Sequence, residues 1–471
     1  MDAERIAEAV ASRTADDRVL AGASIPVRYR LDGLRPHRGA RLPEDGVAPA
    51  AVVLPRSTEE VRRVLAFAND AGLPVVPWGG ATGLMGGARP GADSIVVDLR
   101  GMNRVRRIDR ASCTATAQAG IVLGRLDARL RRRGLCVGHD PWSQPRATLG
   151  GAISTNGVGY GAFLRGSMGD QVLGLEAVLM DGTVVRSRPV ARATAGLDLR
   201  RLFIGTEGTL GLVTEATIRA FPVPGREEIR GFTFADFPRG LAAVCRLYDD
   251  GLVPSAMQLD ETFASREGPW PSGAEPPTLY LGFAGTDDVV RASWRAARRR
   301  LASARARPLP DREARAFWRA RHDIIYRTDE VAPGVSEADR FLRDVIFDYI
   351  HVALPRAEIL AFRRSALAAL RRHGVAPTSF GVWTQPELAS LEMVRPVRGD
   401  RLAAKAAVAD AIDEALRRAH ALGGSMEYVH GVGLKLAHLM GEELREGLGV
   451  YARVKRALDP NGLLNPGKGG L

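Results

Sequence analysis

Apolar positions along the chain change period several times, and each change marks an element. Residues 1–23 repeat as an amphipathic helix, and an irregular stretch containing arginine and proline follows to about residue 50. AAVVLP (50–55) is a short apolar run, the pattern of a buried strand. Behind it Ser57 and Glu60 have capping-box spacing, and Val61, Val64, Leu65 and Ala68 fall on one helical face. LPVVP (73–77) and SIVVDL (94–99) read as further strands, and CTATAQAG (113–120) alternates as a half-buried strand does. A helix is expected at about 122–133. VLGLEAVLMDGTVVR (172–186) reads as two strands about an Asp181-Gly182 turn.

After Pro222 and Pro224 the pattern shifts. The strand-like runs GFTFADF, TLYLGFAG, VIFDYIHVALP and SFGVWT alternate with long helical repeats at 238–250, 287–306, 355–373 and 400–421. REGPWPSGAEPPT (266–278) has the composition of a surface loop. The tail, KRALDPNGLLNPGKGG (455–470), closes a helix in turn residues. No internal repeat or low-complexity tract interrupts this order.

Composition narrows the class. A chain of 471 residues that is 45% hydrophobic and 25% charged is globular rather than disordered, and long enough for two or three units. No run approaches the ~20 apolar residues of a membrane-spanning helix. The acidic start MDAERIAEAVASRTADD is unlike a signal peptide. Cys113, Cys136 and Cys245 are an odd, sparse set without CxxC, which argues against a disulfide framework and makes the cytoplasm the expected compartment. The net charge is +12, but lysine stands only at 405, 435, 455 and 468, so nearly all of the 66 basic residues are arginine. They scatter along helical patterns, the mark of a solvated basic surface; an anionic partner or substrate is the alternative. No recognised nucleic-acid module accompanies the charge, so a nucleic-acid partner is not expected.

Three glycine clusters carry the chemistry. VPWGGATGLMGGA (76–88) follows a strand, and such a loop lets backbone N–H groups approach a phosphate. It lacks the GK[ST] of a P-loop. GGARPGAD (86–93) leaves no room for the helix of a dinucleotide-binding turn. A diphosphate cradle of another kind, or a plain tight turn, remains. PWSQPRATLGGAISTNGVGYGAF (141–163) and LFIGTEGTLGLVTEATIRAFP (202–222) add two further clusters, as a long cofactor touched by several loops requires.

In this order, with GD-VLGLEAVLMDG between the second and third, these segments resemble the FAD-binding domain of the vanillyl-alcohol oxidase/p-cresol methylhydroxylase superfamily. The tail LDPNGLLNPGK and GGSMEYVHGVG (423–433) resemble its glycolate-oxidase-subunit-D-like branch, which includes D-lactate dehydrogenases; HGVG is also similar to alkyldihydroxyacetonephosphate synthase. The resemblance implies an α+β fold: a two-part FAD-binding domain, residues 1–222 with its core at 48–222, completed by a returning segment, 425–471. A cap of antiparallel sheet and helices, 223–424, lies between. By matched position, Pro77, Trp78, Gly79, Gly80, Ala81, Thr82, Gly83 and Leu84 should hold the diphosphate, with no side chain tolerated at Gly80 or Gly83. Pro141, Thr148, Gly151 and Asn156 should line the flavin, with Gly211 and Val213 near its pyrimidine or adenine end and Asn465 and Pro466 closing the ring side. Covalent relatives often carry a histidine where Thr82 stands, so non-covalent FAD is implied.

At the substrate end, His430 in its Gly-bounded turn is the leading catalytic candidate, a base for a hydroxyl proton; a structural histidine bonded to backbone is the alternative. Tyr428 and His351 are further catalytic candidates. Alternation puts Phe347, Tyr349 and His351 on one strand face, and Tyr349, Trp383, Glu392 and Arg321 are candidate substrate contacts. Many relatives pair Glu-His here with two histidines of another strand. The glutamate position is Val429 in this chain and SFGVWTQPELASLEM (379–393) has no histidine, so no metal is expected. The expected function is FAD-dependent oxidation of a hydroxyl-bearing carbon in a small-molecule substrate, with O2 or a redox carrier as electron acceptor and a homodimer as an open state. The alternative is a redox-neutral enzyme resembling alkyldihydroxyacetonephosphate synthase.

Overall fold

The computed structural model describes residues 2–14, 18–263, 275–323 and 344–471. The chain first forms a four-stranded sheet from β1 (Val19–Ala21), β2 (Ala51–Val53), β3 (Val75–Trp78) and β4 (Ile95–Asp98), in the order β1-β2-β4-β3. β2, β4 and β3 are parallel and β1 is antiparallel at the edge. β2 and β4 are buried along their whole length, as parallel strands covered on both faces are. The helix Thr58–Ala71 crosses between β2 and β3. The Ser57 side chain accepts from the Glu60 N–H at its start, Gly72 ends it in the left-handed region, and the expected stripe Val61, Val64, Leu65 and Ala68 is fully buried.

A second sheet is antiparallel: β5 (Val105–Asp109), β6 (Thr114–Gln118), β10 (Leu212–Pro222), β8 (Val172–Val178) and β9 (Val184–Arg186) in that order, with β7 (Leu135–Val137) on the far end of β10. β8 and β9 pair about the Asp181-Gly182 turn. The third sheet has seven antiparallel strands: β14 (Arg307–Pro308), β11 (Arg226–Thr233), β13 (Glu275–Gly285), β12 (Ala256–Thr262), β16 (Ala376–Trp383), β17 (Leu388–Pro396) and β15 (Val345–Ala353). The segment read as SFGVWTQPELASLEM is a hairpin, β16–β17, whose turn includes Thr384 at φ 65°. β12 was not marked by the sequence pattern. Much of the expected 266–278 loop lies outside the described residues.

Alternation along the third sheet separates two environments. Met257, Leu259, Phe380, Val382, Leu391, Ile350 and Val352 face one side and pack in a core with the helices Phe237–Asp249, Asp287–Ser303, Ile359–Arg372 and Arg401–Ala421. Gln258, Asp260, Ser379, Trp383, Ser390, Glu392, Tyr349 and His351 point the other way, into a cavity against the first half of the chain. No helix among the described residues is long and apolar enough to cross a membrane.

The tail returns to the first sheet. Leu464 forms a parallel bridge with Val75 on edge strand β3, and Asn465 N–H donates to the Val75 carbonyl at 2.7 Å. A buried ion pair holds this return: Lys455 Nζ lies 2.6 Å from Asp459 Oδ2 and also donates to the carbonyls of Leu464 and Thr209. Removing one partner of a buried pair strands the other charge. Lys455→Met should therefore cost about 3–5 kcal/mol, read as a lower urea midpoint; an unchanged midpoint would show that the clasp contributes nothing.

Candidate active site

The cavity between the halves has a volume of about 1220 Å³. At one end β3 runs out into the loop Gly79–Leu84. Among the described residues, none of this loop's backbone N–H groups donates to a protein acceptor. Ala81 takes a left-handed conformation, φ 52°. A turn that leaves consecutive N–H groups free beside a cavity is an anion-binding concavity. Gly79 and Gly80 press on the neighbouring segment: a Cβ at Gly79 would overlap the Thr148 hydroxyl, and one at Gly80 the Arg146 carbonyl oxygen. Gly83 differs from expectation. A Cβ there meets no protein atom within 4 Å, so the protein alone does not require glycine at this position. The free N–H groups and the volume of the cavity fit an extended diphosphate cofactor such as FAD.

Pro77, Trp78, Gly79, Gly80, Ala81, Thr82, Gly83, Leu84, Pro141, Thr148, Gly151, Gly211 and Val213 all line this cavity. Asn156 and Asn465 do not line it. Asn156, at φ 51°, ends the helix Leu149–Thr155, and its Oδ1 accepts from Gly169 N–H and from the Ser167 hydroxyl. Asn465 is fully buried and donates through Nδ2 to the carbonyls of Gly87 and Glu207. Asn156 Oδ1 and Asn465 Nδ2 are thus engaged in bracing the loops, while Asn465 Oδ1 is buried with no hydrogen-bond partner.

Glu207, unnoticed in the sequence because it sits inside the Gly205–Gly211 run, joins cofactor and substrate ends. Its carboxyl accepts from the N–H groups of Val432 and Gly433 at 2.9–3.1 Å. Burial pushes its pKa up to about 7, opposed by those two donors. Gly431 has φ 79°, and a Cβ there would fall 2.8 Å from the Glu207 carboxyl carbon, which explains a glycine at this place in HGVG.

At the substrate end His430 lines the cavity from the turn after Glu427. Glu427 Oε1 accepts from the N–H groups of Tyr428, Val429 and His430 at 3.0, 2.6 and 2.9 Å, and lies 3.7 Å from His430 Nδ1. Burial opposes the charge, but His430, His351 and the backbone donors hold this carboxyl below its ordinary pKa. The His351 ring stands 4.8 Å from that of His430, and burial, with His430 adding, pushes its pKa down to about 3. The expectation of no metal-binding set looked for glutamate at 429 and for histidines close in sequence. The fold supplies the glutamate at 427 and brings His351 to His430. One donor atom from each of His351, Glu427 and His430 lies within 4.8 Å of the others, a set able to hold a divalent cation.

Tyr349, Trp383, Glu392 and His351 line the same cavity. Tyr428 and Arg321 do not. The Tyr428 hydroxyl turns to Ser390 Oγ at 3.4 Å, its ring packs on His351, and burial raises its pKa, so it supports the imidazole rather than meeting a ligand. Arg321 is spent on Asp140, 3.0 Å from Nε, and on the Trp318 ring. Sequence reasoning missed Asp260, which burial pushes up to about 7 on the cavity wall. Its strand, β12, lacked a recognisable pattern.

Residues 49–188 match a FAD binding domain, and residues 224–469 match the C-terminal domain of FAD linked oxidases. The second match spans more than half of the chain, which belongs to the FAD-linked oxidases and is an FAD-dependent oxidoreductase. Glycolate oxidase subunit GlcD of Bacillus subtilis (strain 168) is 28% identical over 434 residues, 89% of this chain and 88% of that one. The fold is shared with p-cresol methylhydroxylase with substrate bound, at TM-score 0.77 and 19% identity over 99% of this chain and 96% of that chain. It is also shared with alkyldihydroxyacetonephosphate synthase, at TM-score 0.70 and 22% identity over 89% and 77%.

The diphosphate loop yields a test. Gly80→Val places a branched side chain on the Arg146 carbonyl and displaces the free N–H groups. The variant should purify with less than about a tenth of the wild-type flavin, measured by absorbance, since each lost charge-assisted hydrogen bond is worth about 1.5–3 kcal/mol. Full flavin content would place the cradle elsewhere.

Proposed function

We propose that the enzyme oxidises a hydroxyl-bearing carbon, of an alcohol or a 2-hydroxyacid, with His430 as base. The observation that carries this reading is the His430–Glu427 pair on the wall of the cavity that the cofactor loops open into. FAD, when bound, would supply the two-electron acceptor for the hydride. His430 takes the hydroxyl proton as the carbon gives up its hydride, so an alcohol carbon becomes a carbonyl. Glu427 faces the other side of the imidazole and stabilises the imidazolium that forms, as the orienting acid of a base pair does. His351, kept neutral by burial, backs the ring without a repelling charge. Tyr349 and Trp383 form an aromatic wall suited to a larger, less polar substrate. The likeness to a glycolate oxidase subunit along most of both chains supports hydroxyacid oxidation. Dioxygen or a redox carrier then accepts the electrons.

FAD is held without a covalent bond, because Thr82 stands in the first loop where a histidine would link it. One histidine, His139, does line the cavity; burial pushes its pKa down to about 4. Acid precipitation should release all of the yellow colour. Flavin retained in the pellet would contradict the assignment and point to His139.

Two other readings rest on specific observations. Buried Glu427 Oε2, His351 Nδ1 and His430 Nδ1 have no hydrogen-bond partner, which favours a cation among them. The HGVG ending and the fold shared with alkyldihydroxyacetonephosphate synthase favour redox-neutral chemistry, though the HHH run of that family is reduced here to Tyr428-Val429-His430. Stopped-flow reduction of the flavin under anaerobic conditions separates all three. With His430 as base, His430→Asn keeps the bound flavin and slows reduction ~10²–10⁴-fold, and chelator has no effect on the wild type. Chelator sensitivity restored by zinc or manganese would replace the base reading with the metal one. Substrate turnover without any bleaching would establish the redox-neutral one.

A further inference from the structure

The N-terminal segment 32–39, which the sequence marks only as irregular, runs along both ends of the cavity. At the cofactor end Gly33 packs against the Gly83 carbonyl. At the substrate end Phe347 N–H, on edge strand β15, donates to the His37 carbonyl at 3.0 Å, and Gly39 N–H donates to Asp348 Oδ2 at 2.8 Å. These bonds fix Arg38 between them. Its side chain is 8% exposed, and its guanidinium lies over the Tyr349 ring, 4.4 Å from the centroid, with Nη2 3.5 Å from the Tyr349 hydroxyl. Both Arg38 and Tyr349 line the cavity.

The buried guanidinium is short of partners. Arg38 Nε and Nη1 have no hydrogen-bond acceptor. The nearest carboxylate, Asp348, is 3.6 Å from Nη1 but is already engaged: Lys435 Nζ and Tyr349 N–H bind Oδ1 at 2.8 and 2.9 Å, and Gly39 N–H binds Oδ2. Arg38 and Lys435 thus share one anion, and both oxygens of that anion are already taken by closer donors. His37 adds no charge, because burial and Arg38 push its pKa down to about 3. Glu392, across the strand pair from Tyr349, is driven toward its neutral form by burial. An unpaired charge out of water is costly, and a planar fork of donors matches the two oxygens of a carboxylate.

We infer that Arg38 is the anchor for a substrate carboxylate and sets the enzyme's preference for acids over neutral alcohols. A carboxylate monoanion supplies the acceptor that the guanidinium lacks; a phosphate dianion would add a second negative charge near Glu392 and the Glu427 carboxylate. Both the guanidinium, at 4.4 Å, and the His430 ring, at 5.6 Å, neighbour the Tyr349 ring, so a carboxylate on Arg38 would sit within one ring's reach of the base. The inference takes from the proposed function only that the cavity beside His430 receives the substrate.

Benzoate, an aromatic carboxylate that cannot be oxidised at a hydroxyl, is the probe. Calorimetric titration of the FAD-loaded protein should show benzoate binding that weakens about 10–100-fold in Arg38→Met, the worth of hydrogen bonds to a charged group, and is partly recovered in Arg38→Lys. Benzyl alcohol should bind wild type and Arg38→Met alike, and inorganic phosphate should bind wild type more weakly than benzoate. Equal benzoate affinity in wild type and Arg38→Met overturns the assignment, as does failure of wild type to bind benzoate. Tighter Arg38-dependent binding of phosphate overturns the choice of carboxylate. If Arg38→Met does not retain flavin, Arg38→Lys decides: unchanged benzoate affinity there refutes the bidentate anchor. Absence of flavin reduction by every hydroxyl compound, with Arg38-dependent benzoate binding intact, removes the proposed oxidation and leaves the anchor standing.

Discussion

The Glu207 carboxyl, bound to the N–H groups of Val432 and Gly433, is the interaction on which the site depends. It lies between two loops that no regular element connects. One carries the third glycine cluster toward the cofactor, and the other follows directly from the turn that presents His430. Asn465 reinforces the junction by donating to the carbonyls of Gly87 and Glu207, which ties the first glycine loop and the returning tail to the same point. A buried acid costs free energy unless its oxygens are met. Here backbone donors meet them, and the Gly205–Gly211 loop and the turn that carries His430 become one geometric unit.

The second constraint is the pleat of the seven-stranded sheet. Because side chains alternate, one strand serves two environments. Ile350 and Val352 pack in the core, while Tyr349 and His351 face the cavity. β12, β16 and β17 divide in the same way. The cavity wall is therefore polar and aromatic although each strand is anchored by an apolar face. A register slip of one residue would exchange the two sets and abolish both core and site.

Charge is distributed by depth. Many arginines pair with acids on exposed faces, such as Arg62 with Glu59 and Arg291 with Asp288, and each such pair contributes little. The buried charges are fewer and consequential. Lys455 with Asp459 holds the tail, and Lys435 with Asp348 braces β15 against the turn that follows His430. Burial leaves Asp260 and Glu207 with pKa values near neutrality, and it keeps His351 uncharged beside His430. The high net charge is thus mostly surface, and among the described residues the buried Arg38 is one cation without a full partner.

Much of this was legible in the sequence. Helix periods, the alternation of β15, the capping box at Ser57 and the glycine clusters are local patterns, and local patterns follow from backbone geometry alone. The Gly79–Leu84 loop beside the cavity was readable because a turn with free N–H groups needs consecutive small residues in one stretch of chain. The rest is tertiary. His351 and His430 are far apart in sequence; Glu427 lies two places from where a family pattern puts a carboxylate; Arg38 comes from a stretch with no periodicity; and Asp260 sits on a strand without a distinctive pattern. Arg321, Tyr428, Asn156 and Asn465 fall outside the cavity lining for the same reason. Which polar atom is left free depends on what the neighbours have already taken, and only the folded chain brings those neighbours together.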